Sequence, residues 1–556
     1  MFLKYQTASN WLYKIQLLLL GIGASAIATL PAKAAEKIYF QYGSIVQSLE
    51  VKSLETFAET GVVGPDLQFY FKFLKADQEE QQRFRQVLNS SIKVNLVPIS
   101  QFLYTPVGEN FLNQFGSYIR TDPTINGKYA LRAAIILAAS DPKGISLLNV
   151  FRKYPTDMWI DVRASLDLSK AAGIVVEATK FFTKTVAQLS EEEAKKEVKT
   201  NFSTLPDLRQ SGNLGVVQKR WQLRDEKRQR SFYVDLYQPQ RWRAGKTPII
   251  VISHGLGSRP EDYAERAEYL ASYGYVVALP QHPGSDTIQL QNMQQGLSRN
   301  VFLTQEFIDR PLDINYVLDE LERRNQSEFS GRLNVQSVGV MGHSLGGYTA
   351  LAVAGATIDF DNLQKACNNN LEYLDVSLFV QCRLLELPRK TYNLRDPRVK
   401  AVYALNPVNN SIFGAKGLSE ITIPTMLEAG TYDPATPAVF EQVRSFKMLT
   451  TPNKYLALIE GQAHVDFSVL GSGLMQLIES ATYLTLPPPA LLNSYSNALT
   501  LAFFEVSLLD NPSYRPYLQA TYTEYLSQDQ QFKVFLISAK SDAGLGEASR
   551  EFRSKL

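Results

Sequence analysis

The chain has 556 residues, 45% of them hydrophobic, with 57 Lys+Arg against 55 Asp+Glu and a formal net charge of +2. That apolar fraction excludes a disordered chain, and the near-neutral balance gives no basic footprint for nucleic acid. The four histidines, His254, His282, His343 and His464, are dispersed, and with two cysteines they form no cluster of zinc-ligand spacing, so no metal site is expected.

Lys4 and Lys14 precede an apolar run over 15–30, which ends in the small-residue site Pro31-Ala32-Lys33-Ala34. This reads as a secretory signal peptide over 1–34, removed after Ala34, and predicts export to a periplasm or the extracellular space. The run is shorter than the roughly 20 apolar residues a spanning helix needs. Removing it takes away three lysines and no acids, which moves the net charge from +2 to −1. No later stretch has spanning length, so any membrane contact of the mature chain should be peripheral.

Residues 35–205 are expected to form a mainly helical N-terminal domain and a linker. Apolar residues recur three and four apart over 67–74 and 129–137, and short β-prone pieces at 37–40 and 158–162 suggest a small sheet beside the helices. The charged run Ser190-Glu191-Glu192-Glu193-Ala194-Lys195-Lys196-Glu197 reads as a helix end followed by the polar linker 201–213, with a boundary near 205.

From 206 to 556, β-branched runs alternate with helical segments, the pattern of a mostly parallel α/β sheet. Eight strands are predicted, at 216–223, 231–236, 248–252, 276–279, 337–341, 401–405, 424–427 and 455–459. The first two have no helix between them and should pair antiparallel at one edge, because a parallel crossover needs a dozen or more residues. A C-terminal extension follows the last.

The strand at 337–341 runs into Gly342-His343-Ser344-Leu345-Gly346 and then a helix-prone segment, the context of a nucleophile elbow. A tight strand-to-helix turn strains the serine and crowds its neighbours, so Gly342 and Gly346 supply room. A serine hydroxyl needs a base, and in such sheets the acid and then the histidine follow it in sequence. His464, just past the last predicted strand, is the one histidine after Ser344. Asp433, in Gly430-Thr431-Tyr432-Asp433-Pro434, leaves the preceding strand at the same edge and is the favoured acid, with Glu428 and Asp466 as alternatives.

Acyl transfer also needs donors aimed at the developing oxyanion. The N–H of Leu345 is one, and the N–H of Leu256, in Ser253-His254-Gly255-Leu256-Gly257-Ser258, is the second. His254 and His282 are candidates to line the pocket. Cys367 and Cys382 enclose fourteen residues and are predicted to pair in an oxidising compartment, which stabilises the fold by about 3 kcal/mol. The surrounding insertion, about 355–398, is leucine-rich and is expected to cover the site as a lid and furnish an apolar acyl pocket.

The 253–258 loop, the elbow and Arg310-Pro311-Leu312-Asp313-Ile314 resemble platelet-activating-factor acetylhydrolase and dienelactone-hydrolase-like members of the α/β-hydrolase superfamily, over about 215–480. Residues 35–40, 102–106 and 147–150 look like the N-terminal domain of uncharacterised secreted cyanobacterial α/β hydrolases. The resemblance implies an α/β-hydrolase fold and carboxylic-ester hydrolysis by Ser344, with Leu256 and Leu345 as oxyanion donors and no cofactor. One departure is visible. Those acetylhydrolases place their acid after the strand that here ends at Asn406, so the acid moves to Asp433 and an acetyl-specific substrate loses support.

The resulting expectation is an exported serine esterase or lipase-like enzyme acting on a small-molecule or lipid ester. The competing reading is a turnover-deficient envelope-binding protein on the same scaffold, suggested by the extra mass of the N-terminal domain.

Overall fold

The computed structural model describes residues 34–369, 374–464 and 486–555. The signal peptide, apart from Ala34, and Asp466 lie outside the described residues. The chain divides into two compact units, Met1–Lys93 with Phe115–Arg163, and Val94–Gln114 with Ala164–Leu556.

In the first unit, strands β1 (Lys37–Tyr42), β2 (Ile45–Glu50), β3 (Ile119–Arg120) and β4 (Met158–Asp161) form a sheet of order β2-β1-β4-β3. The two β-prone pieces thus become parallel neighbours, since the long helical stretch between them supplies the crossover. Asp157 accepts the backbone N–H groups of Glu36 and Lys37 at 3.0 and 2.9 Å and fixes the start of β1. Helix Gln78–Asn89 opens on a reciprocal Asp77/Glu80 capping box, and Leu54, Phe57, Leu88, Leu131, Ala134 and Leu148 are buried in this unit's core.

In the second unit nine strands make one sheet. They are β5 (Val216–Asp225), β6 (Arg230–Pro239), β7 (Thr247–Ser253), β8 (Val276–Pro280), β9 (Leu333–His343), β10 (Val399–Leu405), β11 (Thr425–Gly430), β12 (Lys454–Ile459) and β13 (Val534–Ser538). Their order is β13-β12-β11-β10-β9-β7-β8-β6-β5. All eight strands read from the sequence are present, and β5 and β6 pair antiparallel at the edge. The ninth, β13, adds antiparallel to β12 after the C-terminal extension has crossed the sheet as helix Pro489–Leu509. Side chains alternate between two buried layers: Ile249, Val251, Val338 and Val340 face one, while Ile250, Ile252, Met341 and Tyr403 face the other with Phe503 and Phe504.

Helix Val162–Ala194 ends within the charged run, as read from the sequence. The charged run does more than end the helix, because its polar groups satisfy the exposed backbone of β13. Ser190 accepts the Leu536 N–H at 3.3 Å, and Glu193 accepts the N–H and hydroxyl of Ser538 at 2.9 and 2.7 Å. Residues Val94–Gln114 also belong to this unit, where helix Leu96–Leu103 packs against helix Thr287–Gln294.

Cys367 and Cys382 form a disulfide. The described part of the insertion does not stand over the sheet: Leu363, Leu384 and Leu394 are buried in the core. A polar anchor holds it there. The buried Glu441 carboxylate accepts the Ser377 hydroxyl at 2.7 Å and the N–H groups of Asn409 and Asn410 at 2.8 and 2.7 Å. Burial and the adjacent Glu441 push the Asp375 carboxyl well above the usual carboxylate range. An unfolded aspartate ionises near about pH 4, so above that pH the unfolded chain has released a proton that the folded chain keeps, and stability falls as pH rises. Asp375→Asn, which keeps a donor without a titrating proton, is expected to raise the melting temperature by a few degrees at pH 8 and by progressively less towards pH 4. A lower melting temperature at pH 8 would show that Asp375 is ionised in the folded chain.

Among the described residues, no helix is long and apolar enough to cross a membrane, and no group of His, Cys, Asp and Glu is arranged to hold a metal ion.

Candidate active site

The parallel register places the ends of β7, β9, β10, β11 and β12 at one edge: Ser253 faces Gly342, His343 faces Leu405, and Leu405 faces Glu428. Loops leaving this edge carry the chemistry, as open α/β sheets require. Ser344 sits between β9 and helix Leu345–Ala354 with φ 57° and ψ −120°, a strained conformation for a residue with a side chain. The strain is held from both sides, by the Ser344 N–H on the Leu405 carbonyl at 2.9 Å and by the Tyr348 and Val408 N–H groups on the Ser344 carbonyl. A Cβ on Gly342 would lie 2.0 Å from the Gly346 carbonyl oxygen, and one on Gly346 would lie 2.0 Å from that of Ser253. Neither position accepts any other residue without moving the backbone.

The Ser344 hydroxyl donates to His464 Nε2 at 2.8 Å, and His464 Nδ1 donates to Asp433 Oδ2 at 2.7 Å. A carboxylate only accepts, so the proton sits on Nδ1 and Nε2 is left as the base. Asp433 is held in turn by the N–H groups of Ala435 and Thr436 at 2.9 and 2.8 Å and by the Thr436 hydroxyl at 2.7 Å. Its side chain has no solvent exposure, while that of His464 keeps 15%, which leaves the imidazole within reach of a ligand. Glu428 is committed elsewhere: it binds the Tyr403 and Ser496 hydroxyls and the Gln462 amide. Asn406, with φ 39°, accepts the Gly430 N–H and takes the Thr436 hydroxyl on its carbonyl, so it braces the Asp433 loop where a carboxylate would otherwise stand. His343 packs against His464 with ring centroids 4.8 Å apart and the planes tilted by 40°, and desolvation together with that neighbour pushes its imidazole down to about 3, so it is neutral.

Leu345 opens the helix beside Ser344, and Leu256 follows β7 in a loop that approaches the serine. A Cβ built on Gly255 would lie 3.6 Å from that of Ser344. No described acceptor takes the N–H of Leu256 or of Leu345. Behind this loop is a buried polar cluster. Arg310, with no exposure, donates to the His254 carbonyl at 2.7 Å, the Gly255 carbonyl at 3.2 Å and the Ser285 hydroxyl at 2.8 Å. The His282 N–H donates to His254 Nε2 at 3.1 Å, so His254 Nδ1 carries the proton and donates to the Gly255 carbonyl at 2.8 Å. His282 bridges the Ser253 hydroxyl and the Asp313 carboxylate at 2.9 and 3.0 Å. Burial and Arg310 hold both imidazoles well below their ordinary range.

A cavity of about 900 Å³ opens at Ser344, lined also by Leu256, Tyr263, Arg266, His464, Gln462 and Asn497. His254 and His282 are not among its lining residues; they lie one layer behind, where packing against Arg310 and Asp313 claims both rings. The described part of the insertion contributes no lining residue either, since its leucines Leu363, Leu384 and Leu394 are spent on the core. The apolar wall comes instead from Ile252, Met341, Leu405, Leu486 and Leu492. Sequence reasoning missed Thr436 and Gln462, which carry no motif; Asn406 was visible only as the place where an acid is lacking, and Arg310 as part of the 310–314 segment without a role.

The strand order, with its antiparallel edge pair and parallel centre, and the strained serine turn define an α/β-hydrolase fold. A family model described as "Alpha/beta hydrolase of unknown function (DUF1400)" matches residues 34–161, and one described as "Chlorophyllase" matches residues 207–367. The second match takes in the Leu256 loop and Ser344 and ends before Asp433 and His464. No match is found among curated proteins. The two matches support the α/β-hydrolase superfamily and a hydrolase activity in the broad sense, and they do not support the narrower resemblance to platelet-activating-factor acetylhydrolase or dienelactone hydrolase.

Proposed function

We propose that this chain is an exported serine esterase. The observation that carries the reading is the continuous run of hydrogen bonds from the Ser344 hydroxyl through His464 to Asp433, at the mouth of a cavity. Ser344 Oγ attacks the ester carbonyl as its proton passes to His464 Nε2, and Asp433 stabilises the imidazolium. The oxyanion takes the N–H groups of Leu256 and Leu345. Collapse of the tetrahedral intermediate breaks the bond to the alcohol, which leaves with the proton from Nε2. Water, deprotonated by the same nitrogen, then releases the acid and restores Ser344.

The Chlorophyllase match, to a family of α/β hydrolases that act on esters, favours a carboxylic ester over an amide. The Cys367–Cys382 disulfide and the apolar run over 15–30 favour an oxidising compartment after export. A fluorophosphonate probe should label the folded chain at Ser344, with labelling abolished by prior heat denaturation. Failure to label folded protein would favour the binding-protein reading. Intact mass of secreted material tests cleavage after Ala34.

A further inference from the structure

The cavity at Ser344 contains an arginine that the fold leaves unused. Comparably sheltered guanidinium groups here close ion pairs: Arg230 with Glu306 and Asp313, Arg243 with Glu505, Arg398 with Asp396. Arg266 pairs with no carboxylate among the described residues, and its Nη1 is buried without a hydrogen-bond partner. Two more cavity-lining residues each keep an oxygen that is buried away from the cavity and unpaired. Gln462 donates its Nε2 to the Glu428 carboxylate at 3.0 Å, an arrangement that fixes the amide and turns Oε1 away from Glu428, and that oxygen has no partner. Asn497 Oδ1 also has none.

Neither oxygen, nor Arg266 Nη1, has a surface through which a ligand could reach it; what the cavity offers is the rest of the Arg266 side chain, a cation without a counter-ion among the described residues. The acids nearest by sequence do not serve. Asp262 binds Ser258 and the Arg259 backbone, and Glu265 is exposed at the rim. The volume of about 900 Å³ suits a ligand that spans from the serine to the guanidinium.

We infer that the ester cleaved at Ser344 carries an anionic oxygen group, a carboxylate or a phosphate, which Arg266 binds. This rests on the esterase reading above and narrows its substrate class. A guanidinium offers paired donors to such a group, and the partly dehydrated cavity strengthens the contact.

The test uses the full mature chain and matched ester pairs. In one arm the charge is on the acyl side, nitrophenyl half-esters of succinic, adipic and suberic acid against their methyl-capped forms. In the other it is on the alcohol side, butyrate esters of 4-hydroxybenzoate and of 4-hydroxyphenyl phosphate against neutral analogues. Wild type should prefer the charged partner by about tenfold or more in kcat/KM in at least one arm, the scale of one charged hydrogen bond. Arg266→Met should bring that ratio to about one, and Arg266→Lys should keep part of it. A preference for neutral partners in both arms, or a ratio that survives in Arg266→Met, overturns the inference while fluorophosphonate labelling of Ser344 leaves the esterase standing. Absence of labelling overturns both.

Discussion

Ser344→Ala and His464→Ala are each expected to lower kcat on a short-chain nitrophenyl ester by about a millionfold, and the double variant by no more, because the two side chains act as a unit. Asp433→Ala should cost less, about ten-thousandfold, since Nε2 remains a base when its orienting partner is lost. The ranking follows from the geometry. Ser344 has one base within 2.8 Å, and that base has one carboxylate at 2.7 Å, so removing either end of the proton path ends catalysis, while removing Asp433 frees the ring to turn. Thr436 Oγ1 lies 3.2 Å from His464 Nδ1 and retains part of the orientation when the carboxylate is gone. Single-turnover rates on the three variants check the ranking; full activity of Ser344→Ala would remove the hydroxyl from the mechanism altogether.

Much of this site was legible in the sequence because each part is punctuated locally. Gly342 and Gly346 bracket Ser344 at the end of an apolar strand, and the approach of the Gly346 and Ser253 backbones is the physical reason that spacing recurs. Asp433 and His464 each lie within five residues of the end of a short apolar strand. Where the code is not local, the reading failed. The 355–398 leucines were expected over the site, yet periodicity does not say which surface an apolar stripe meets, and Leu363 and Leu384 meet the core. The 190–197 run read as a helix end, which it is, but its contact was not legible: Glu193 is 7% exposed and caps β13, a strand of five residues too short to stand out beside the long helix before it. The cluster around Arg310 is legible at no single position: Arg230, Ser285, Glu306 and Asp313 converge on it only after β6, β8 and the helix Glu306–Phe329 have packed.

Arg310→Met is expected to lower kcat by about a hundredfold to a thousandfold, the cost of losing an oxyanion donor, with KM changed far less, although Arg310 lines no part of the cavity. The path runs through one peptide plane. In a trans peptide the carbonyl of residue 255 and the N–H of residue 256 point in opposite directions, and the described chain has no cis bonds. Arg310 and His254 both donate to the Gly255 carbonyl and hold it towards the buried cluster, which aims the Leu256 N–H the other way, to the side where Ser344 lies. Burial lowers the Arg310 guanidinium to about 10, still above neutral pH, so the clamp is charged when the enzyme works. Loss of that charge also leaves Glu306 and Asp313 with fewer cations and should destabilise the fold by about 3 to 5 kcal/mol, as for other broken buried pairs. Arg310→Lys separates the two effects: it retains a cation but cannot reach both the His254 and Gly255 carbonyls, so stability should recover more than kcat. Chemical denaturation and steady-state kinetics on both variants decide the matter, and equal recovery of stability and kcat in Arg310→Lys would reduce Arg310 to a packing role.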